Sequence, residues 1–415
     1  MTLAERSSVP NRWLIAVAAV VMQICLGAVY GYSVFIKPIM ALGHWSETQV
    51  ATMFTMAILF LGLACAVGGF WQDRVGPRIV ALTGGVLYGL GYLLAAYGVS
   101  VRSIALIILG YGVIGGTGNG LGYITPVATL VKWFPDKRGV MTGLAVAGFG
   151  FGAVLMTQFV NFWMPAHGVG STLLCLGIIY GVVVCLTALT YQNPPAGWQP
   201  EGWSGTAANQ AASARNYTPQ EAFRTWAFWS LWLMLFLNVS AGIMIISTLK
   251  PLATETVGMA SAAATSMVGL MGLFNGGGRL FWAWVSDRIG RAHVFALLYG
   301  IQVVAFLGLL VTRNVALFAL ICAVIYLCYG GGFGTMPSFT ADYFGPKFVG
   351  TIYGVILIAW GVGGVGSPYL IAYLHETTGG YGRAIMILAV VMLFSLVLPL
   401  TSRPPDAVPR QRAAV

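Results

Sequence analysis

One arginine stands inside a segment that otherwise reads as lipid-buried helix: Phe274-Asn275-Gly276-Gly277-Gly278-Arg279-Leu280-Phe281-Trp282, in an apolar run from about 260 to 285. An arginine at that depth costs at least ~2.5 kcal/mol, so it persists only where it has a task. The three glycines before it let a neighbouring helix or a ligand approach the backbone closely. Asn275 and Arg279 are four residues apart and share a helix face. A guanidinium is a planar donor fork that matches a carboxylate, and an amide beside it adds one more hydrogen bond. Arg279 therefore reads as the anchor for a small organic anion, with Asn275 orienting it. Arg279 also lies roughly seven residues, or ~10 Å of helical rise, from the nearer helix end, so snorkelling or a bond to backbone carbonyls is its structural alternative. No acidic residue falls inside an apolar run except Asp342, at the end of one, which makes an incoming carboxylate the natural partner.

The rest of the chain must position that charge. Of 415 residues, 58% are hydrophobic and 8% charged, with a mean hydropathy of +0.83. No soluble core of this length hides so much apolar surface, so lipid must cover it. Apolar runs of spanning length occur at about 13–39, 48–72, 79–98, 103–131, 138–163, 170–191, 226–249, 260–285, 292–312, 315–341, 349–374 and 380–401. These predict an all-α membrane protein with twelve transmembrane helices.

The net charge of +10 is explained by its distribution and points to no nucleic acid. Of 21 basic residues, fifteen lie on the side assigned to the N-terminus, among them Arg6, Arg215, Arg410 and Arg412. Five (Lys37, Arg102, Lys250, Arg313, Arg383) lie on the other side, and Arg279 is within. This positive-inside bias predicts a multi-pass protein of the cell membrane with both termini cytoplasmic. The first run is of full spanning length and lacks a cleavage pattern, so no removable leader is expected. All six cysteines sit in apolar runs without metal-ligand spacing and read as packing residues, and the four histidines lie at loops or helix ends. No metal or cofactor is implied. With no nucleophile or acid/base pair within the runs, an enzyme is not expected.

The chain reads as two halves: a bundle over 1–191, a Pro/Gly/Ser-rich cytoplasmic linker over 192–224 with a short helix capped by Thr218, and a bundle with a short tail over 225–415. The halves repeat each other. Gly69-Phe70-Trp71-Gln72-Asp73-Arg74-Val75-Gly76-Pro77-Arg78 after the second run is echoed by Ala283-Trp284-Val285-Ser286-Asp287-Arg288-Ile289-Gly290-Arg291 after the eighth, 214 residues on. Trp133-Phe134-Pro135-Asp136-Lys137-Arg138-Gly139 has its counterpart in Tyr343-Phe344-Gly345-Pro346-Lys347. Duplication of a six-helix unit follows.

The Gly-x-x-x-Asp-Arg-x-Gly-x-Arg pattern resembles the signature loop of the major facilitator superfamily, which implies two pseudo-symmetric six-helix bundles around a central cavity. Asp73, Arg74 and Arg78, with Asp287, Arg288 and Arg291, are then expected to form a cytoplasmic gate that pairs across the halves. The resemblance implies that the first, fourth, seventh and tenth helices line the cavity. On them, Tyr30 and Lys37 share one face, Asn119 and Tyr123 are four apart in a glycine-rich helix, and Tyr329 and Phe333 are four apart beside three glycines. With Arg279 and Asn275 these are the candidate substrate-binding residues.

The segment from Phe274 to Arg291 further resembles the oxalate/formate antiporter branch, akin to the monocarboxylate transporters. That resemblance implies an alternating-access carrier of small carboxylates whose eighth-helix arginine binds substrate. Two departures shape the expectation. Oxalate carriers place a second cation on the eleventh helix, where this chain has Trp360. One central cation suits one carboxylate, so lactate- or pyruvate-like monocarboxylates are expected over oxalate. Animal-type monocarboxylate transporters carry an aspartate four residues before the arginine, where this chain has Asn275, so proton symport and anion exchange both stay open. The partners expected are a small monocarboxylate, protons if symport holds, and the lipid bilayer, with no obligate protein partner evident. The alternatives are an oxalate/formate-type antiporter and, from another class, a non-transporting membrane anion sensor.

Overall fold

A computed structural model describes residues 10–195, 197–200, 203 and 216–405. Arg6, Arg215, Arg410 and Arg412 of the charge bias, and Gly202 and Gly205 of the linker, lie outside the described residues. Ten helices among the described residues are long and apolar enough to cross a membrane. Two places account for the difference from the expected twelve. Arg138–Ala188 runs as one 51-residue helix, but Gly168 inside it adopts φ 75°, ψ 172°, which divides it into the fifth and sixth helices. Ser261–Ile289, the eighth, is 29 residues long, and its Asn-Gly-Gly-Gly-Arg centre keeps it from counting as an apolar span.

The remaining helices, in order, are Arg12–Gly27 (the first), Glu47–Val75, Pro77–Ser100, Ile104–Trp133 (the fourth), Trp226–Val257 (the seventh), Arg291–Val311, Val315–Phe344 (the tenth), Val349–Thr378 (the eleventh) and Gly382–Thr401. Their starts carry side-chain caps: the Asn11 and Thr225 side chains accept from Trp13 and Phe228 amides, and Asn314 accepts from Leu317. The second and eighth helices both stop at a glycine of positive φ, Gly76 at 89° and Gly290 at 90°. A side chain is strained there, which is why the repeated loop keeps glycine at that point.

The first helix is not continuous. It tightens to a 3₁₀ turn over Ala28–Gly31 and resumes over Ser33–Gly43. The carbonyls around this break accept from side chains of other helices: Cys25 from Tyr88 (3.3 Å), Leu26 from Asn119 (2.8 Å) and Val29 from Tyr111 (3.5 Å). A break so supported is a stable joint rather than a frayed end.

The short helix expected after Thr218 spans Pro219–Phe223 and opens with a capping box. The Thr218 amide and hydroxyl both donate to Glu221 and hold its carboxyl below the usual carboxylate range. Both ends of the linker are tied down: Trp133 Nε1 donates to Gln192 O at 2.7 Å, and Tyr217 N to Phe344 O at 2.9 Å. The chain thus passes from the end of the fourth helix to the end of the tenth. The Arg12–Asp136 pair and the Tyr343–Ser402 bond lie at these same helix ends, which we call the terminal end of the bundle.

Candidate functional site

Glycine decides where Arg279 sits. A Cβ on Gly330 or Gly334 of the tenth helix would run into the Asn275 or Arg279 carbonyl, and one on Gly278 into the Leu327 carbonyl. Gly150 of the fifth helix meets Gly276 in the same way. The eighth helix is therefore gripped at backbone contact between the fifth and tenth, and Arg279 falls at the centre, fully buried. Gly277 has open space beside it and takes no part in the crossing.

The guanidinium is held at two of its nitrogens. Nε donates to Asn275 Oδ1 at 3.1 Å, as the four-residue spacing suggests, and Nη1 donates to Val146 O of the fifth helix at 3.4 Å. Phe149 and Phe333 flank it, with ring centroids 5.3 and 4.8 Å from the central carbon. Among the described residues Nη2 finds no acceptor and no carboxylate pairs with the charge. A buried guanidinium with an unused edge and no counter-ion is built to receive an anion.

Around it the rings form a cage. Trp360 is the hub, packed on Phe333 (4.8 Å), Tyr123 (5.4 Å), Phe149 (5.6 Å) and Tyr30 (6.1 Å). Its indole Nε1 has no hydrogen-bond partner. The hydroxyls of Tyr123 and Tyr353 likewise find no hydrogen-bond partner among the described residues. Tyr30 and Tyr329 share a hydroxyl–hydroxyl bond of 3.0 Å, which joins the first helix to the tenth. Unused N–H and O–H groups in an apolar, aromatic shell are what a short organic acid requires: donors for the carboxylate and rings for the carbon chain.

Of the candidate residues, Arg279, Asn275, Tyr30, Tyr123, Tyr329 and Phe333 meet in this cage. Asn119 is turned to the first helix, where it donates to Leu26 O and leaves Oδ1 unpartnered. Lys37 stands apart, exposed on the outer piece of the first helix. Phe149, Trp360 and Tyr353 were not anticipated as lining, because they come from the fifth and eleventh helices.

A second constellation lies at the terminal end. Asp73 accepts from the Thr351 amide (2.7 Å) and hydroxyl (2.9 Å) at the start of the eleventh helix and pairs with Lys132 at 3.2 Å. Asp287 accepts from the Gly139 and Val140 amides, at 3.1 and 2.9 Å, at the start of the fifth helix. Each carboxylate thus caps a helix of the opposite half, where unpaired amides and the helix dipole favour negative charge. Arg291 pairs with Asp287 (2.6 Å) and Asp342 (3.0 Å) and also bonds Ser286, while Arg138 reaches Asp342 across the halves at 3.2 Å. Arg74 and Arg288 lie on their own helices' Phe70 and Trp284, and Arg78 is exposed. The carboxylates do most of the crossing, and most of it goes to backbone.

Comparison with known proteins agrees with this arrangement. The chain matches the Major Facilitator Superfamily over residues 18–368. It is 28% identical to the oxalate:formate antiporter of Oxalobacter formigenes over 403 residues, covering 95% of this chain and 93% of that protein. It is 28% identical to apicoplast pyruvate carrier 1 of Toxoplasma gondii over 395 residues, covering 80% of this chain and 71% of the carrier. Its fold matches the crystal structure of the Escherichia coli fucose:proton symporter with a TM-score of 0.71 at 16% identity, over 94% of this chain and 98% of the other. A family match that takes in both halves and eleven of the helices described above makes the chain a member of the Major Facilitator Superfamily: a multi-pass membrane transporter and not an enzyme.

Proposed function

We propose that this transporter carries small monocarboxylates, lactate- or pyruvate-like, by alternating access of one central site. The observation that carries the reading is the one cation with no solvent exposure among the described residues: Arg279 has an unused Nη2 edge, no carboxylate partner among them, and the rings of Phe149 and Phe333 beside it. One carboxylate neutralises it. A second would sit against Trp360 and Phe333 with no cation to meet it, which is costly among buried aromatic rings. The pyruvate carrier among the relatives supports the same class.

In this reading Arg279 clamps the carboxylate, Asn275 orients the clamp, Tyr123 completes the polar contacts, Asn119 braces the first helix beside the site through Leu26 O, and Tyr329 with Phe333 wall the carbon portion. Tyr30 closes the far side, and Lys37 offers a positive charge at the entrance. The bundles over 1–191 and 225–415, joined by the linker over 192–224, rock about the site in the cell membrane with both termini cytoplasmic. Asp73, Arg74, Arg78, Asp287, Arg288 and Arg291 belong to the cytoplasmic gate, which makes and breaks with each cycle.

Uptake of labelled formate, acetate, lactate, pyruvate and oxalate into proteoliposomes tests this directly. Monocarboxylate uptake that exceeds oxalate uptake is expected. Acceleration by an inward proton gradient alone identifies symport, and dependence on an internal acid identifies exchange. A second reading, oxalate/formate exchange, is favoured by the 28% identical antiporter and is the one to adopt if oxalate is preferred.

A further inference from the structure

Tyr30 occupies an unusual place. Its hydroxyl is bonded to that of Tyr329 at 3.0 Å, its ring packs on Trp360, whose one polar side-chain atom is Nε1, and it stands close enough to the Arg279 guanidinium to feel its charge. Neither Arg279 Nη2 nor Trp360 Nε1 completes a hydrogen bond with it. An oxygen ringed by a guanidinium, an indole N–H and a second phenol stands in surroundings suited to a carboxylate oxygen, and a phenol uses them poorly.

The burial of the site points the same way. Tyr123, Phe149, Arg279, Tyr329, Phe333 and Trp360 are fully buried, whereas Tyr30 is partly exposed. Tyr30 also rides on the 3₁₀ turn Ala28–Gly31, the joint between the two pieces of the first helix. The carbonyls around that joint accept from Tyr88, Asn119 and Tyr111, so side chains of other helices satisfy them where the first helix is not continuous.

We propose that the Tyr30 hydroxyl and the substrate carboxylate compete for one set of donors, so that an incoming monocarboxylate displaces the phenol and takes Arg279 Nη2 and Trp360 Nε1 as the ligands of its two oxygens. This rests on the monocarboxylate reading and extends it in two ways. Trp360 becomes a binding residue that sets specificity, since an indole donates a hydrogen bond without adding a second positive charge. Departure of the phenol also breaks the Tyr30–Tyr329 bond between the halves, so occupancy of the site releases a contact that holds its far side shut.

The test is calorimetric titration of the detergent-purified full chain with formate, acetate, L-lactate and pyruvate. Tyr30→Phe keeps the ring and removes the competing oxygen, and should bind about three- to tenfold more tightly than the unaltered chain. Equal or weaker binding by that variant overturns the displacement. Trp360→Phe should bind about tenfold more weakly, and unchanged affinity overturns the assignment of Nε1. If either variant fails to fold, fluorotyrosine at position 30 of the otherwise native chain gives the readout. Its fluorine resonance should shift with formate and saturate at the calorimetric Kd, whereas a resonance that stays fixed at saturation overturns the proposal. Binding that depends on Arg279 without tightening in Tyr30→Phe removes the displacement alone. Failure of all four acids to bind the unaltered chain removes the monocarboxylate reading and the displacement with it.

Discussion

The two halves share a scaffold and a lock, but they do not share a binding site. Asp73 and Asp287, 214 residues apart, each accept hydrogen bonds from amides at the start of a helix in the opposite half. Gly120 and Gly330, 210 apart, each bring the fourth or tenth helix onto a carbonyl of the second or eighth, at Leu61 and Asn275. At the site the repeat diverges. The counterpart of Arg279 is Cys65, whose Sγ bonds Gly120 O at 3.3 Å, and Phe149 is the counterpart of Trp360, 211 residues away. In the proposed rocking both locks form and release together, so both halves need the same parts. Binding one monoanion requires one cation, and a second buried guanidinium would carry its full desolvation penalty with nothing to offset it.

That contrast can be broken in order of effect. Gly120→Ala and Gly330→Ala should each deplete folded, monodisperse protein in detergent, because each puts a Cβ onto backbone that cannot retreat, while Gly277→Ala should leave the yield unchanged. Folded protein from one of the first pair and not the other would show that the scaffold is less symmetric than described.

Asp73→Asn and Asp287→Asn remove a charge at a helix start worth ~1–2 kcal/mol, a roughly five- to thirtyfold shift in the balance of the two rocked states. Both should increase labelling of cysteines introduced at the terminal end. Response to one alone would assign the lock to a single half. Trp360→Lys supplies a second cation and should raise oxalate uptake relative to pyruvate, read in a competition assay.

The smallest contrast is between Arg291, paired with two carboxylates, and Arg78, exposed at the corresponding turn. Arg291→Ala should lower uptake by no more than about fivefold, since partly exposed pairs contribute ~0–1 kcal/mol, and Arg78→Ala should have no measurable effect.

Much of this was legible in the sequence, for particular reasons. The i, i+4 spacing of Asn275 and Arg279 becomes a 3.1 Å hydrogen bond, and the aromatic spacing of Tyr329 and Phe333 becomes a ring contact of 5.3 Å. The glycines around Arg279 announced close helix crossings. Phe149 and Trp360 were hidden because an aromatic residue in an apolar span has no signature that separates lipid-facing from cavity-facing. The repeat held the one clue, since it sets the two at matched positions on the fifth and eleventh helices. The residues of the expected gate were legible as charges, but their bonds were not. The arginines drew attention, while the amides that receive Asp73 and Asp287 belong to every residue and cannot be read from sequence. The boundary between the runs at 138–163 and 170–191 was legible too, and it falls at Gly168, where the backbone leaves the helical region.

The central claim is that the eighth-helix arginine, and not its counterpart in the first half, carries the anion. The direct measurement is uptake of labelled pyruvate into proteoliposomes by Arg279→Ala beside Cys65→Ala, with equal reconstituted protein. Uptake reduced to the protein-free background in the first and retained in the second is predicted. Uptake retained by Arg279→Ala would contradict the account.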